Sequence, residues 1–217
     1  MNDLKKIRGG VYLVIDPAWE LSFTLPRLEQ GLKGGISTVQ IWDHWLPDTS
    51  KKGYIEAITT LAHEYEVPVF INNHWELLKN TSLDGVHFDA PPHQLSVIQK
   101  ELVRPFLKGV TCGNDLFTVH WATKHGFDYV SFCSMFPTSA TDSCEIVQPS
   151  TVMQARASTP LPIFVAGGIS LDNIASLLPC GIDGVALISG IMKSDEPFTT
   201  TVQFKNHFLN YESDAHS

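Results

Sequence analysis

Eight short apolar runs recur along this sequence, and segments with a helical pattern separate them. The repeat length is about 27 residues, near the compact end of the range for (β/α)8 barrels. Runs such as 11–15 and 183–188 are largely apolar rather than alternating, which is typical of parallel strands covered on both faces. The pattern predicts an α/β protein, a single (β/α)8 TIM barrel over residues 1–217. An open doubly wound sheet is the alternative, but the eight units leave no residues for its edge.

The predicted elements follow one another in a fixed order. We expect strands at residues 11–16, 37–41, 68–71, 85–88, 107–111, 128–132, 162–166 and 183–187. We expect helices at residues 25–32, 54–62, 75–79, 95–102, 115–124, 152–157, 172–178 and 203–209. Gly34 and Gly35 should end the first helix, and Asp115 should cap a later one. The polar residues 212–217 are expected to form a mobile tail.

The composition argues against several classes of function. The 217 residues carry 15 Lys and Arg against 23 Asp and Glu, a net charge of −8, without a basic run. This balance argues against a nucleic-acid partner. No run of about 18 apolar residues is present, so no membrane span is expected. The four cysteines show no CxxC spacing, and residues 1–10 lack the apolar stretch of a signal peptide. We therefore expect a cytoplasmic protein with reduced thiols.

Two of the predicted strands, at 162–166 and 183–187, end in small residues before a helical pattern. Gly167 and Gly168 follow the first strand, and Ser189 follows the second. Glycine lets backbone N–H groups approach an anion, and a helix N-terminus adds favourable partial charge. The two turns lie about 20 residues apart in the last quarter of the predicted barrel, where such folds bind phosphate. An ordinary turn is the alternative for one Gly-Gly pair alone, and the paired occurrence favours phosphate.

The carboxyl ends of the predicted strands collect polar and aromatic side chains, and function in a (β/α)8 barrel belongs at these ends. Amides, hydroxyls and aromatic rings dominate this set, which contains almost no cation. A diphosphate site would normally use Lys, Arg or a metal ion to offset the charge. The set comprises Asp16, Gln40, Trp42, Asp43, His44, Trp45, Asn72, Asn73, His74, His87, Asp89, Thr111, Thr138 and Thr141.

Short motifs in a fixed order give the chain a family resemblance. They include Tyr12-Leu13-Val14 with Asp16, Val39-Gln40 after a Gly-Gly pair, Asp84-Gly85-Val86-His87, Gly109-Val110-Thr111, Phe136-Pro137-Thr138, and Ala166-Gly167-Gly168-Ile169. On these motifs, which run from about residue 11 to 192, the chain resembles the thiamine phosphate synthase and thiazole tautomerase superfamily. The resemblance implies the (β/α)8 barrel independently of the strand count.

The resemblance also implies an activity and a set of site residues. The synthases join an aminopyrimidine diphosphate to a thiazole phosphate with the help of magnesium, and they release pyrophosphate. By resemblance, Gln40 and Thr111 hold the pyrimidine, with Thr111 in the catalytic set, and Asn72 binds the diphosphate. The residues implied for the thiazole phosphate are Thr138, Thr141, Gly168, Ile188 and Ser189, with Gly167 beside them.

The chain departs from the family pattern where the diphosphate and its metal bind. The family's Gln-x-Arg-x-Lys becomes Gln40-Ile41-Trp42-Asp43-His44, so both cations are replaced. Asn73 stands where the family has a metal-binding Asp. We therefore expect no retained metal site, a weakened diphosphate end and a retained thiazole-phosphate end. Magnesium is expected only if the chain is a true synthase, and Asp16, Asp43 and Asp89 could then rebuild a site.

A thiazole tautomerase is the alternative activity, which needs no metal but does need a group that transfers a proton. The family's histidine for this step would fall near Gly113, so His44 or His87 would have to replace it. His44, the tentative catalytic residue, lies in an aromatic loop. For His87 the simpler expectation is a packed, hydrogen-bonded histidine at a strand end.

The aromatic loop that contains His44 has two interpretations. Trp42 and Trp45 could stack on a heterocycle, or they could form a contact between two copies of the chain. A third hypothesis for the whole chain is a protein that binds thiazole phosphate or thiamine phosphate without catalysis. In each case the expected partner is a small phosphorylated heterocycle, with a homo-oligomer as the open alternative to a monomer.

Overall fold

Eight parallel strands form a closed barrel, as predicted. The computed structural model describes residues 7–138 and 145–215, in which each strand pairs with the next and β8 pairs with β1. The strands are β1 (Gly10–Ile15), β2 (Ile36–Ile41), β3 (Val69–Asn72), β4 (Gly85–Phe88), β5 (Leu107–Cys112), β6 (Tyr129–Cys133), β7 (Ile163–Ala166) and β8 (Gly184–Leu187). This closure confirms the (β/α)8 barrel and excludes the open sheet.

Helical segments connect the strands. The α-helices are α1 (Leu21–Gly34), α2 (Lys51–Glu64), α3 (Leu95–Glu101), α4 (Phe117–Lys124), α5 (Pro149–Ser158), α6 (Ser189–Met192) and α7 (Pro197–Ala215). Short 3₁₀ helices at Trp75–Lys79, Ile174–Ser176 and Leu178–Cys180 take their place after β3 and β7. Within residues 7–138 and 145–215, none of the helices is both long and apolar enough to cross a bilayer.

The strands are apolar along their whole length because both of their faces are buried. In β1, Val11 and Leu13 belong to the large core between the barrel and its helices, while Tyr12 belongs to a separate cluster inside the barrel. Helix residues such as Leu28 and Ile55 complete the outer core, and neither has any exposed surface. Burying such a side chain stabilises the fold by about 1.5–3 kcal/mol.

Aromatic rings fill the barrel interior toward the amino ends of the strands, and three of them lie beside a glycine on the neighbouring strand. The register pairs are Phe70 with Gly85, Tyr129 with Gly109, and Phe164 with Gly184. A Cβ atom on Gly109 would lie 2.0 Å from Cζ of Tyr129. Because this close packing allows each ring one position, the hydroxyl of Tyr129 is held at a fixed point below the strand ends.

One predicted helix boundary is confirmed and another is shifted. Gly35 adopts a left-handed conformation with a φ of +102° after α1, and its N–H donates to the carbonyl of Leu32 at 3.0 Å. At the start of α4 the N-cap residue is Leu116 rather than Asp115, but the carboxylate of Asp115 still accepts a hydrogen bond from the N–H of Phe117 at 2.8 Å.

Three helical segments differ from their predicted form. Residues 172–178 were expected to form one helix, but Pro179 provides no N–H and Gly181 turns the chain with a φ of +76°, so only 3₁₀ turns form. The four residues of α6 are too few for periodicity to reveal. The last helix, α7, continues to Ala215, well beyond the predicted 203–209. Residues 216 and 217 lie outside the described residues, and the mobility of 212–217 stays a prediction.

Candidate active site

A cavity of about 500 Å³ opens at the carboxyl ends of the strands, and every strand contributes to it. This volume lies within the usual range for small-molecule sites. A groove of about 560 Å³ between α1 and α2 contains none of the predicted site residues. The cavity is lined by Tyr12, Val14, Gln40, Trp42, Asn72, His87, Asp89, Thr111, Ser131, Cys133, Thr138, Ala166, Gly167, Gly168, Ile169, Ala186, Leu187, Ile188, Ser189 and Gly190.

Most of the predicted site residues meet in this cavity. They come from opposite sides of the barrel, and the parallel arrangement brings the carboxyl ends of all strands to one face. The predicted residues that line the cavity are Gln40, Trp42, Asn72, Thr111, Thr138, Gly167, Gly168, Ile188 and Ser189. Their contacts with a ligand stay predictions.

Two predicted residues, His44 and Asn73, do not line the cavity, and a third is not described by the structure. His44 has 58% of its side chain exposed, and its Nδ1 lies 3.1 Å from both carboxylate oxygens of Asp16. Asn73 also lies outside the cavity lining, where it bonds Asp89. Thr141 lies outside the described residues. The geometry therefore gives no support to His44 as the group that transfers a proton.

The floor of the cavity is a continuous hydrogen-bond chain that crosses β1, β2, β4, β5 and β6. Tyr12 donates its hydroxyl proton to Oε1 of Gln40 at 2.8 Å, and the hydroxyls of Tyr12 and Tyr129 lie 2.7 Å apart. His87 continues the chain, with Nδ1 2.8 Å from the hydroxyl of Tyr129 and Nε2 2.8 Å from Oγ1 of Thr111. We call these five residues the floor chain.

Burial keeps the floor chain uncharged. The imidazole of His87 is 6% exposed, and burial lowers its pKa to about 4, against a smaller opposing effect from the carboxylate of Asp89. Burial also raises the pKa values of the Tyr12 and Tyr129 hydroxyls. The expectation of a packed, hydrogen-bonded His87 is confirmed, and the floor presents neutral polar groups to the cavity at physiological pH.

A thiol beside the floor is not a nucleophile. Cys112 ends β5, next to Thr111, and it is almost completely buried. Burial raises the pKa of this thiol to about 12, with a smaller contribution from the carboxylate of Asp115. Since the thiolate is the reactive form, Cys112 stays inert near neutral pH.

Asp89 stands at the side of the cavity and is held by two amides. The side-chain N–H groups of Asn72 and Asn73 donate to its two carboxylate oxygens at 2.9 and 2.7 Å. Its own backbone N–H donates to Oδ1 of Asn73 at 3.1 Å. Asn73 adopts a φ of +55°, a conformation that Asn tolerates better than most residues. The Asn72-Asn73 pair therefore positions a carboxylate and has few donors left for a ligand.

Two imidazole–carboxylate pairs lie outside the cavity lining, and with Asp89 and Asn73 we call them the rim. His44 faces Asp16, whose carboxylate also accepts the N–H of Ala18 at 2.9 Å. In the second pair, Nε2 of His74 lies 2.8 Å from a carboxylate oxygen of Asp43. The polar groups of the rim bond one another.

The carboxylates of the rim do not fit a magnesium site. In the parts of the chain that the structure describes, no group of three or more His, Cys, Asp or Glu is arranged to hold a metal ion. Magnesium requires near-octahedral oxygen ligands. Both oxygens of Asp89 already accept amide N–H groups, and Asp16 and Asp43 each face an imidazole.

The loops after β6 and β7 meet at the two glycines that were predicted to bind phosphate. A Cβ atom on Gly167 would lie 1.8 Å from Oγ of Ser134, and one on Gly168 would lie 2.7 Å from the carbonyl oxygen of Pro137. Both glycines also have positive φ angles, of +89° and +64°. Asn173 holds the turn by donating to the carbonyl of Gly168 at 2.9 Å. Only glycine fits at these two positions.

The second turn that was predicted to bind phosphate leads into α6, which begins at Ser189. The first N–H groups of a helix have no partner within it, and Ser189 and Gly190 line the cavity. The turn after Gly168 leads into a 3₁₀ segment, so the helix terminus predicted there does not exist. No Lys or Arg occurs among the lining residues that the structure describes. An anion at this end would therefore be held by backbone N–H groups and hydroxyls.

Sequence reasoning missed Tyr12 and Tyr129, which connect Gln40 to His87. Both tyrosines lie inside apolar strand runs, where they are easily taken for ordinary core residues. A signal was available in the alternation of β1, because Tyr12 has the parity of the inward-facing positions. A hydroxyl inside a narrow barrel needs a polar partner, and this requirement points to Gln40 and His87.

Comparison with known proteins agrees with this geometry. The profile of a family described as thiamine monophosphate synthase matches residues 11–191. A thiamine-phosphate synthase of Janthinobacterium sp. (strain Marseille) is 30% identical over 207 residues, which cover 94% of this chain and 99% of the relative. The thiamine-phosphate synthase of Nitrosococcus oceani is 28% identical over 208 residues, which cover 93% and 94%.

A solved structure shows the same fold. A thiamine phosphate pyrophosphorylase from Pyrococcus furiosus superposes with a TM-score of 0.79 at 22% identity, and the match covers 93% of this chain and 96% of that one.

Proposed function

From the premise that this chain belongs to the thiamine monophosphate synthase family, we propose that it is a transferase of thiamine biosynthesis. It would join an aminopyrimidine diphosphate to a thiazole phosphate and release pyrophosphate. The observation that carries the proposal is a single cavity with two different ends. One end is the neutral floor chain, and the other is a pair of backbone turns suited to one phosphate group.

The floor chain suits the aminopyrimidine. Gln40 and Thr111 lie at its two ends, and both line the cavity. A ring with nitrogen acceptors and an exocyclic amine can bond an amide and a hydroxyl without any charge in the site. Trp42 lines the same cavity and offers an aromatic face for stacking.

The glycine turns suit the thiazole phosphate. Gly167 and Gly168 let the backbone approach the ligand closely. Thr138 lines the cavity beside them and supplies a hydroxyl. A phosphate held here would place the thiazole ring between the two ends, facing the pyrimidine.

By family resemblance the reaction is dissociative. The bond from the methylene carbon of the pyrimidine to the diphosphate oxygen breaks first, and pyrophosphate leaves with the electrons of that bond. The thiazole nitrogen then donates its electron pair to the pyrimidine cation. The residues of this chain contribute by holding both rings in contact and by keeping water out of the floor.

The part of the cavity that the structure describes offers little positive charge to offset the diphosphate leaving group. The lining residues that the structure describes include no Lys or Arg, and the carboxylate of Asp89 lines the cavity. The side-chain N–H groups of Asn72 and Asn73 already bond Asp89. Since the rim does not fit magnesium, we assign no step of the reaction to a metal ion.

This absence of cations in the described lining favours a second candidate, a protein that binds thiazole phosphate or thiamine phosphate without turnover. A tautomerase gains less support. His44 does not line the cavity, and both ring nitrogens of His87 are already hydrogen-bonded. Neither imidazole is therefore free to exchange a proton with a ligand.

An assay of product formation tests the transferase. Purified protein is mixed with the aminopyrimidine diphosphate and thiazole phosphate, with Mg²⁺ and separately with chelator, and thiamine phosphate and pyrophosphate are measured. The transferase predicts both products in equal amounts with Mg²⁺. Thiazole phosphate that binds without any product over hours would favour the non-catalytic binder instead.

A matched pair of variants tests the phosphate end. Ser189→Asp places a negative charge at the proposed phosphate site, and Ser96→Asp places the same charge on the exposed surface of α3. We expect Ser189→Asp to weaken thiazole phosphate binding about 30-fold or more, because like charges repel strongly in a partly enclosed site. Ser96→Asp should leave binding unchanged. If the two variants bind thiazole phosphate with equal affinity, the phosphate does not bind at this end of the cavity.

A further inference from the structure

We propose that Tyr12, Tyr129 and His87 are positioning residues that set the hydrogen-bonding direction of the cavity floor. Through them, Gln40 is fixed as a donor and Thr111 as an acceptor toward the ligand. The floor then selects a heterocycle with an acceptor at one end and an amine donor at the other. The identity of that heterocycle as an aminopyrimidine rests on the proposed function, whereas the direction of the chain does not.

The direction follows from counting protons along the chain. Tyr12 has one hydroxyl proton and gives it to Oε1 of Gln40, so its oxygen must accept from Tyr129. The single proton of Tyr129 is then used, so its oxygen must accept from Nδ1–H of His87. Once the donor or acceptor role of one group is fixed, the role of the next group along the chain is fixed as well.

The imidazole carries the direction to the other end. A neutral histidine has one N–H, and here that proton is on Nδ1. Its Nε2 must therefore accept a hydrogen bond, and the donor within reach is the hydroxyl of Thr111 at 2.8 Å. Burial, which lowers the pKa of His87 to about 4, keeps the second proton off the ring near neutral pH.

The two ends of the chain are left with opposite capacities. Gln40 has used its oxygen, and no described residue accepts a bond from its Nε2, so two N–H donors remain. Thr111 has used its proton, so lone pairs remain on Oγ1. Both side chains line the cavity. An aminopyrimidine offers a ring nitrogen to the first and an amine N–H to the second, whereas a 4-oxo pyrimidine presents an oxygen to the lone pairs of Thr111.

The surrounding packing makes a reversal of the chain difficult. Tyr12 and Tyr129 are fully enclosed, with Phe70 and Phe164 against their rings. A reversal needs a flip of the Gln40 amide, rotation of three hydroxyls and a change of the His87 tautomer at once. Any partial reversal leaves a buried donor or acceptor unsatisfied, which is costly in a barrel interior.

The tautomer of His87 is measured by ¹⁵N NMR on the full chain without ligand. We expect Nδ1 to carry the proton and Nε2 to give the shift of an unprotonated acceptor at neutral pH. Tyr129→Phe removes the oxygen that accepts from Nδ1, and it should shift the proton toward Nε2. A proton on Nε2 in the unaltered chain, or a charged ring, would overturn the inferred direction.

Ligand selection is measured by titrating a 4-aminopyrimidine and its 4-oxo analogue. The unaltered chain should prefer the amine about 100-fold, since a site that bonds an N–H rejects a ligand with an oxygen there. Tyr129→Phe and Tyr12→Phe should each reduce this preference to about 10-fold or less. Tyr54→Phe removes a buried hydroxyl between α1 and α2, outside the cavity lining, and should leave the preference intact.

The outcomes separate this inference from the proposed function. Full preference for the amine in a folded Tyr129→Phe or Tyr12→Phe protein would overturn the positioning role and leave the transferase standing. If neither pyrimidine binds the unaltered chain, the proposed ligand and its selection both fail. Thermal unfolding of each variant confirms that the comparison is made on folded protein.

Discussion

The floor chain and the rim are both rich in polar side chains, but they use them differently. The floor chain is buried and neutral, and its hydrogen bonds run from Gln40 to Thr111 with capacity left at each end. The rim is more exposed and carries carboxylates, and its groups bond one another, as His44 does with Asp16. Both regions lie at the same face of one barrel.

This difference shows what each region can recognise. A buried neutral chain with fixed donors and acceptors distinguishes heterocycles by their edges, because an incorrect edge leaves unsatisfied polar groups. The imidazole and amide groups of the rim already bond carboxylates, so few N–H donors remain for an anion. The carboxylates themselves repel a diphosphate. The floor is thus suited to recognition, while the rim lacks the charge that a diphosphate needs.

The strongest way to disrupt the floor alone is Gly109→Ala. The new Cβ would lie 2.0 Å from the Tyr129 ring, which has no room to move, so we expect a loss of about 3 kcal/mol or more in unfolding free energy. Gly113→Ala is the matched control, since no atom lies within 4 Å of its Cβ position. Urea unfolding of both variants provides the measurement, and similar losses would show that the floor is not tightly packed.

Acid should weaken the fold through His87. Its pKa is about 4 in the folded protein and 6.5 in the unfolded chain, so the unfolded state binds the proton first as pH falls. The stabilising contribution is fully present above pH 6.5 and decreases between 6.5 and about 4, by up to about 3 kcal/mol. Urea unfolding across this range should give a shallower pH slope for His87→Gln than for the unaltered chain. Identical slopes would mean that His87 is not buried as a neutral group.

A cation introduced beside the rim should supply part of the positive charge that a diphosphate needs there. Trp42 lines the cavity at a position where the family has Arg. Trp42→Arg should tighten binding of the aminopyrimidine diphosphate about 10-fold, because the guanidinium offsets the diphosphate charge while its planar face can still stack on the ring. Phe117→Arg adds the same charge at a side chain that is 70% exposed on α4, and it should have no effect. Calorimetric titration at two salt concentrations provides the measurement, and equal effects of the two variants would count against a local shortage of charge.

The smallest effect is expected at His44. Its exposed pair with Asp16 contributes little, so His44→Ala should change the unfolding free energy by less than about 0.5 kcal/mol. Thiazole phosphate affinity should change less than about 2-fold, because His44 does not line the cavity. A fall in turnover of about 100-fold or more would instead restore His44 as an acid or base.

The barrel and the position of its site could be predicted from the sequence because both depend on local patterns. A continuous apolar run such as 11–15 predicts a strand covered on both faces, and the residues after it predict the functional face. Gln40, Thr111 and Gly168 line the cavity, as this pattern predicts, while their contacts with a ligand stay predictions.

The floor chain and the rim pairs could not be predicted in the same way, because they depend on closure of the barrel. Tyr12 and Tyr129 lie 117 positions apart, and only the meeting of β1 with the opposite strands brings their hydroxyls together. The hydrogen bond between His44 and Asp16 likewise joins two loops whose residues lie 28 positions apart. The sequence shows which residues follow the carboxyl ends of the strands, but it does not show which of them bond each other.

We expect this cavity to hold one phosphate group on backbone turns without help from a metal ion. Isothermal titration of the purified protein with thiazole phosphate, with chelator and separately with Mg²⁺, is the decisive measurement. The affinity should be the same under both conditions. Binding that appears only with Mg²⁺, or no binding at all, would contradict it.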